Sequence, residues 1–284
     1  MITKFSTIAA TLCLASITST QALADYPEKK IDLIVGYAAG GGTDVMARTV
    51  APFLEQYLGD DATVVVKNMP GASGQIGVTA TAQADPDGYT IGTYNLPGMM
   101  ARTLDRDADY DADSFTYLAN VVDDPNVIVT PKSSDIDSME KLVAAAQERD
   151  GAITVSMSSL GGDDHFFLIR LSEETDAEYT IVPFSGSAPA RSALMGGHVA
   201  MGIINLSEVV NGSLRGFIAP SGLPEEVEAS LISAFEKTYE DPKFQEAMLK
   251  SGNPISLTTG DDFQALNAEQ LELAERVWES SPWK

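Results

Sequence analysis

The sequence predicts an α/β fold with largely parallel sheets. Two observations point there. Short apolar runs that read as buried strands alternate with stretches of helical periodicity. Glycine-containing or polar loops stand at the carboxyl ends of those strands, where ligands bind in such folds: 37–44, 71–75, 95, 158–165, 184–187 and 205.

The first unit opens with Ile31, Leu33, Ile34 and Val35, a short buried strand. Tyr37-Ala38-Ala39-Gly40-Gly41-Gly42-Thr43-Asp44 follows. Met46, Val50, Phe53, Leu54 and Tyr57 then recur at helical spacing, and Gly59 marks the stop. A strand, a glycine loop and a helix start bring free backbone N–H groups together at a helix N-terminus, which suits a phosphate or carboxylate. Glycine lets the backbone approach a ligand, and Gly41 is expected at a positive φ. Thr43 reads as the N-cap and Asp44 as a first-turn acid. Pro52 predicts a kink or an early end. The loop lacks the Lys-Ser/Thr of a Walker motif and the G-x-G-x-x-G spacing, so a plain βα turn is an open alternative.

A second strand over 63–66 leads into Asn68-Met69-Pro70-Gly71-Ala72-Ser73-Gly74-Gln75-Ile76-Gly77, a second loop opening a short helix and a second possible nest of donors. Asp85-Pro86-Asp87-Gly88 is a turn. Residues 89–94 alternate as a strand ending at Asn95. Further strands are expected at 127–129, 153–156, 180–183 and 199–204. Helices are expected at 138–149 with Ser138 as N-cap, after the 158–165 loop, and at 189–195. The C-terminal part reads as packing helices at 224–239, 242–250 and 261–280, with an extended piece at 255–257.

Lys4, an apolar stretch over 8–17 and Ala22-Leu23-Ala24 have the form of a cleaved signal peptide, so a mature chain is expected to begin at Asp25. The single cysteine, Cys13, lies within it, which excludes disulfides and cysteine catalysis from the mature chain. No second long apolar run follows, and the mature protein is expected to be soluble. The formal charge of −23 argues against nucleic acid and anionic membrane surfaces. It also repels an anionic ligand, so anion binding would need local donors in a shielded cleft.

Enzyme signatures are sparse. There is no G-x-S-x-G elbow, no H-x-x-x-H pair and no EF-hand loop, and only two histidines. No metal site, cofactor or catalytic residue is expected. His165 can donate to a carboxylate or be a helix-start histidine without a role, and His198 reads as a surface residue. Asp44 orders ligand waters or favours the helix start. Arg48, Arg170 and Arg191 are possible carboxylate partners. Asn95 and Asn205, at strand ends, donate without a large desolvation cost and are stronger candidates.

Tyr37–Asp44, Asn68–Gly74 and Asp85–Thr90, in that order and closely spaced, resemble the solute-binding receptors of tripartite tricarboxylate transporters, the Bug family. The resemblance resumes at 183–190, 194–199 and 216–224. It implies a two-lobed fold like the type II periplasmic binding proteins, with a cleft between the lobes. Lobe 1 would comprise 25–122 and 216–284, and lobe 2 residues 123–215. It further implies a periplasmic monomer, not an enzyme, that binds a small carboxylate and delivers it to cytoplasmic-membrane transporter subunits. Backbone donors of two loops, Ala38 to Asp44 (Ala38, Ala39, Gly41, Gly42, Thr43, Asp44) and Gly71 to Gln75 (with Ser73), would hold one carboxylate, and Ser158, His165 and Asn205 from the second lobe would set ligand identity; Asn95 and Ser187 complete the candidate ligand-binding residues. The alternative is a secreted α/β enzyme working on a small anion at the glycine loop. Between Asn205 and Gly216, where family members carry a further helix and strands, this chain has few residues and looks shortened near 206–215.

Overall fold

The computed structural model describes residues 26–148, 153–157, 160–184, 187–205, 215–280 and 282. The expected signal segment, Ser158 and the shortened stretch at 206–214 lie outside them. Ser187 and Asn205 are described by their backbone.

Ten strands and nine helices are seen among these residues. They begin with β1 (Ile31–Val35), α1 (Gly42–Leu58), β2 (Val64–Asn68), α2 (Gln75–Ala82), β3 (Thr90–Asn95), α3 (Gly98–Asp105) and β4 (Phe115–Val122). The chain then builds a second sheet from β5 (Asn126–Val129), α4 (Met139–Glu148), β6 (Ile153–Met157), α5 (Asp163–Thr175), β7 (Tyr179–Pro183), α6 (Ser187–Met195) and β8 (Met201–Asn205). It returns to the first sheet with β9 (Arg215–Pro220), then α7 (Glu225–Glu240), α8 (Pro242–Lys250), β10 (Ile255–Thr259) and α9 (Gly260–Ser280).

The first sheet has the order β10-β4-β9-β3-β1-β2 and the second β5-β8-β6-β7. The expectation of largely parallel sheets needs correction for the first. β1 pairs in parallel with β2 and β3, whereas β9 runs antiparallel to β3 and β4, and β10 antiparallel to β4. The physical reason is the return path: β9 re-enters from the second sheet and runs against its neighbours. Its first residue, Arg215, therefore pairs with the last residue of β3, Asn95. That places Arg215 at the end of the sheet where β1 and β3 finish, which is the ligand end of a parallel α/β unit.

Two elements, α3 and β4, were absent from the sequence reading. Pro97-Gly98 has the look of a turn but opens a helix with Met99, Met100 and Ala101 buried. β4 is buried along nearly its whole length, so it lacks the in–out alternation of a half-buried strand. α1 runs on past Pro52 to Leu58, held by the buried Val50, Ala51 and Leu54 on either side.

α9 spans both sheets. Its first half seats the fully buried Phe263 against Gly216, where a Cβ would come within 2.5 Å of the ring. Asn267, also buried, accepts from the Tyr94 hydroxyl (3.2 Å) and donates to that of Tyr117 (2.8 Å). Its second half joins a cluster of Ala101 from α3, Phe166 from α5, Ala274 and Val277. The two sheets are thus bridged by apolar packing as well as by chain crossings.

Phe263→Ala should destabilise the protein by about 3–5 kcal/mol, the cost of a cavity in a site that cannot collapse. Denaturant unfolding checks this; a loss below about 1 kcal/mol would mean that α9 is not anchored by this ring.

Candidate functional site

The two glycine loops are joined backbone to backbone. A Cβ on Gly36, just past β1, would meet the Gly74 carbonyl oxygen at 2.7 Å. One on Gly77 in α2 would meet the Gly36 Cα at 2.6 Å. No side chain fits between the end of β1 and the start of α2, and the loops at 37–44 and 71–75 are held side by side. The Tyr37 ring closes the seam: a Cβ on Gly74 would meet its Cζ and hydroxyl at 3.1 Å.

Within the first loop the positive φ falls at Gly40 (82°), and Gly41 is extended at −75°. Gly41, rather than Thr43, occupies the N-cap position of α1. The helical ladder starts with the Val45 N–H donating to the Gly41 oxygen at 2.9 Å. The amides of Gly42, Thr43 and Asp44 are then the donor end of the helix. The Gly41 N–H donates to the Ala38 oxygen at 3.3 Å, and the Gly40 N–H to Asp44 Oδ2 at 2.8 Å. Ala38 and Ala39 are exposed at the loop's outer edge, and Ser73 is exposed in the second loop in a left-handed conformation (φ 57°).

Asp44 is buried and engaged within the protein. It accepts from Arg48 Nε (3.0 Å), the Gly40 N–H and Asn68 Nδ2 (2.8 Å). Burial alone would raise its carboxyl, but these hydrogen bonds and the Arg48 charge leave it below the usual carboxylate range. Asp44 stands in the first turn of α1 and ties the loop to the end of β2 through Asn68. Arg48 is likewise engaged, pairing with Asp44 and donating to Asn68 Oδ1 at 2.9 Å. Thr43 and Asn95 are brought together, with Asn95 Nδ2 donating to Thr43 Oγ1 at 3.2 Å.

From the second sheet, His165 is buried in the first turn of α5, and its Nδ1 accepts from the Gly161 N–H at 3.0 Å. Burial, with Arg102 nearby, pulls the imidazole down to about 4. At neutral pH it is uncharged, and its proton lies on Nε2. Asn205 ends β8 opposite Asn126, and Ser187 opens α6. Arg170 lines a cavity of about 490 Å³ between α5 and α9 whose walls include Pro97, Asn126, Asp163, Phe167 and Leu273. Arg191 lies in α6, and His198 is exposed as expected.

Three residues of the site were missed by sequence reasoning. Tyr37 lies beside both loops, its hydroxyl pushed up by burial and placed in the fields of Arg102, Asp163 and Arg215. Arg102 in α3 is 5% exposed; its Nη1 reaches Asp105 at 3.4 Å, while Arg106 holds that carboxylate more closely, at 2.7 Å. Arg215 is 3% exposed and donates to Asn253 Oδ1 at 2.8 Å. The signal available for Arg215 was its place at the start of the Gly-Phe-Ile-Ala-Pro strand; Arg102 had none once α3 was unread. Backbone donors and buried guanidinium groups together can hold an anion. Among the described residues no three His, Cys, Asp or Glu side chains form a metal-binding group, and no helix is long and apolar enough to cross a membrane.

His165 sets a pH dependence. The unfolded ring takes up its proton near pH 6.5 and the folded ring near 4, so the unfolded chain binds more protons between those values. Stability contributed by the neutral ring is therefore lost as pH falls through that window. Thermal melts from pH 7 to 4 should show a smaller fall for His165→Gln than for the wild type; parallel curves would contradict this placement of His165.

Residues 46–215 match the model of the tripartite tricarboxylate transporter family receptor. The chain is 31% identical to protein BugT of Bordetella pertussis over 255 residues, covering 82% of this chain and 78% of BugT. Since 82% of 284 residues is fewer than 255, that alignment opens gaps in this chain. The fold matches a TctC solute-binding protein from Polaromonas, with a TM-score of 0.76 at 24% identity, over 90% of this chain and 99% of that one. It also matches R. palustris Rpa4515, solved with adipate, with a TM-score of 0.72 at 25% identity, over 90% and 97% of the two chains. The chain belongs to the tripartite tricarboxylate transporter receptor family, and its fold is that family's two-lobed α/β architecture.

Proposed function

We propose that this chain is a periplasmic solute-binding protein that captures a small di- or tricarboxylate, or a related organic acid, and delivers it to the membrane subunits of a tripartite tricarboxylate transporter. The observation that carries the reading is the pair of glycine loops locked together at Gly36, Gly74 and Gly77, with the donor end of α1 opening at Gly42–Asp44. A carboxylate placed there accepts backbone hydrogen bonds and faces the positive end of the helix. Adipate in Rpa4515 supports the ligand class.

In this reading lobe 1 comprises 25–122 with 216–284, and lobe 2 comprises 123–215, shortened near 206–215. Gaps in the alignment to BugT support a shortened chain. Ala38, Ala39, Gly41, Gly42, Thr43, Ser73 and Asn95 form the first carboxylate seat, with Asp44 bracing it. Ser158, His165, Ser187 and Asn205 set ligand identity from lobe 2, and closure brings the lobes together on the ligand. The protein acts as a monomer, exported by a cleaved signal at residues 1–24, without catalysis.

A thermal-shift screen against mono-, di- and tricarboxylates tests it. A ligand at 100 times its Kd stabilises by about 2.7 kcal/mol, so at least one acid should raise the melting temperature clearly. Gly40→Val, which forces a β-branched residue to φ 82°, should abolish that shift while leaving the fold intact. No response to any acid would defeat the reading, and turnover of a stabilising acid would favour the enzyme alternative.

A further inference from the structure

The cavity between α5 and α9, of about 490 Å³, has the size of a small-molecule pocket, which runs from about 300 to 1,000 Å³. α5 packs in the half built on the second sheet, and α9 is tied to the first through Asn267, so an occupant would touch both. Phe167 and Leu171 of α5 and Leu273 of α9 give the cavity an apolar wall, and each is only half-buried. Pro97 and Asp163, also in the wall, stand two residues from Asn95 and His165, which makes the cavity a neighbour of the glycine-loop seat.

Arg170 and Glu174 stand one helical turn apart at the exposed edge of this wall. Residues at that spacing are neighbours on a helix, but a base placed before an acid is the weaker order for an ion pair. Among the described residues neither side chain has a hydrogen bond or an ion pair. Asp163 is engaged within the protein. Asn126, at the start of β5, adds an amide whose Oδ1 is buried without a partner. With no bond holding it, a half-turn of that amide presents either its oxygen or its nitrogen to the cavity.

The lining selects by charge. An anion alone would meet Glu174 and the field of a chain of formal charge −23. A cation alone would meet Arg170. A zwitterion avoids both conflicts: its carboxylate accepts from the planar fork of Arg170, and its ammonium donates to Glu174 and to the Asn126 oxygen. The apolar wall is then covered by a hydrocarbon or aromatic side chain.

We infer that the α5–α9 cavity is a binding site for an α-amino acid with an apolar side chain, separate from the carboxylate seat at the glycine loops. Arg170 holds the carboxylate, Glu174 the ammonium, and Phe167, Leu171 and Leu273 the side chain. The two sites differ in kind. The seat offers backbone amides to an anion; the cavity offers side chains of both signs to a molecule without net charge. The inference does not depend on the carboxylate reading.

Calorimetry on the full chain tests it with L-phenylalanine, L-leucine, phenylpropanoate, which lacks the ammonium, and phenylethylamine, which lacks the carboxylate. Phenylalanine should bind about tenfold or more tightly than either deletion analogue, since each has lost a charged hydrogen bond. Arg170→Met should weaken phenylalanine by about tenfold and leave phenylethylamine within about twofold. Glu174→Gln should weaken phenylalanine likewise and leave phenylpropanoate within about twofold. Both residues are exposed, so both variants should fold. Gly40→Val, which disrupts the seat, should leave phenylalanine binding in place. No binding of phenylalanine or leucine at millimolar concentration, equal affinity for the deletion analogues, or equal losses across all probes in the two charge variants would overturn the proposal. Loss of phenylalanine binding in Gly40→Val would place the amino acid in the glycine loops and overturn it as well. Adipate bears on the other site alone: a wild type that binds phenylalanine and no carboxylic acid of the thermal-shift panel would defeat the carboxylate reading and support this one.

Discussion

The cleft depends on one contact, the backbone meeting of Gly36 with Gly74 and Gly77. A side chain on Gly36 or Gly77 would drive the end of β1 away from the start of α2, because a Cβ at 2.6–2.7 Å from backbone atoms has nowhere to go. Everything else in the first-sheet half of the site is built on that seam. Tyr37 covers it, Asn68 donates to the Tyr37 oxygen and to Asp44, and Asp44 ties down the Gly40 amide. The polar side chains of the loop bind the protein to itself.

This division of labour resolves a conflict of charge. The chain carries 41 acidic against 18 basic residues, and a net field of that sign repels a carboxylate. The exposed cations on the helices lie near exposed acids, as Lys141 does with Asp137 and Lys250 with Glu246, and contribute little. Arg102 and Arg215 are buried near Tyr37, Arg102 with Asp105 at 3.4 Å and Arg215 donating to Asn253. The neutral state of His165 has burial as its main cause, and Arg102 nearby adds to it.

Much of the fold was legible. β1, the start of α1, the second loop and the C-terminal helices follow from apolar period and turn residues, whereas α1 continues past Pro52, where a kink or an early end was expected. Ser138 caps α4 as read, accepting from the Lys141 N–H at 3.3 Å. What escaped has a common cause in tertiary context. β4 is buried along almost its whole length and shows no alternation; α3 hides behind Pro97-Gly98; and the antiparallel return of β9 depends on a crossing that no local pattern encodes. The site divides the same way. Glycine loops announce themselves in sequence, so the loop that opens α1 at Gly42 was legible, and Asn95 was read as a strand end. Arg102 and Arg215 are buried cations whose surroundings are set by tertiary packing; Arg48, Arg170 and Arg191 were named as possible carboxylate partners, behind Asn95 and Asn205.

The central claim is that backbone amides of the two glycine loops hold the ligand's carboxylate. Titrating adipate, or the acid that most raises the melting temperature, into ¹⁵N-labelled protein while following amide chemical shifts tests it most directly. The account predicts that the amides of Gly42, Thr43 and Asp44, with those of residues 72–75, move first and furthest. Shifts confined to the α5–α9 groove around Phe167, Arg170 and Leu273, with the glycine-loop amides unmoved, would contradict it.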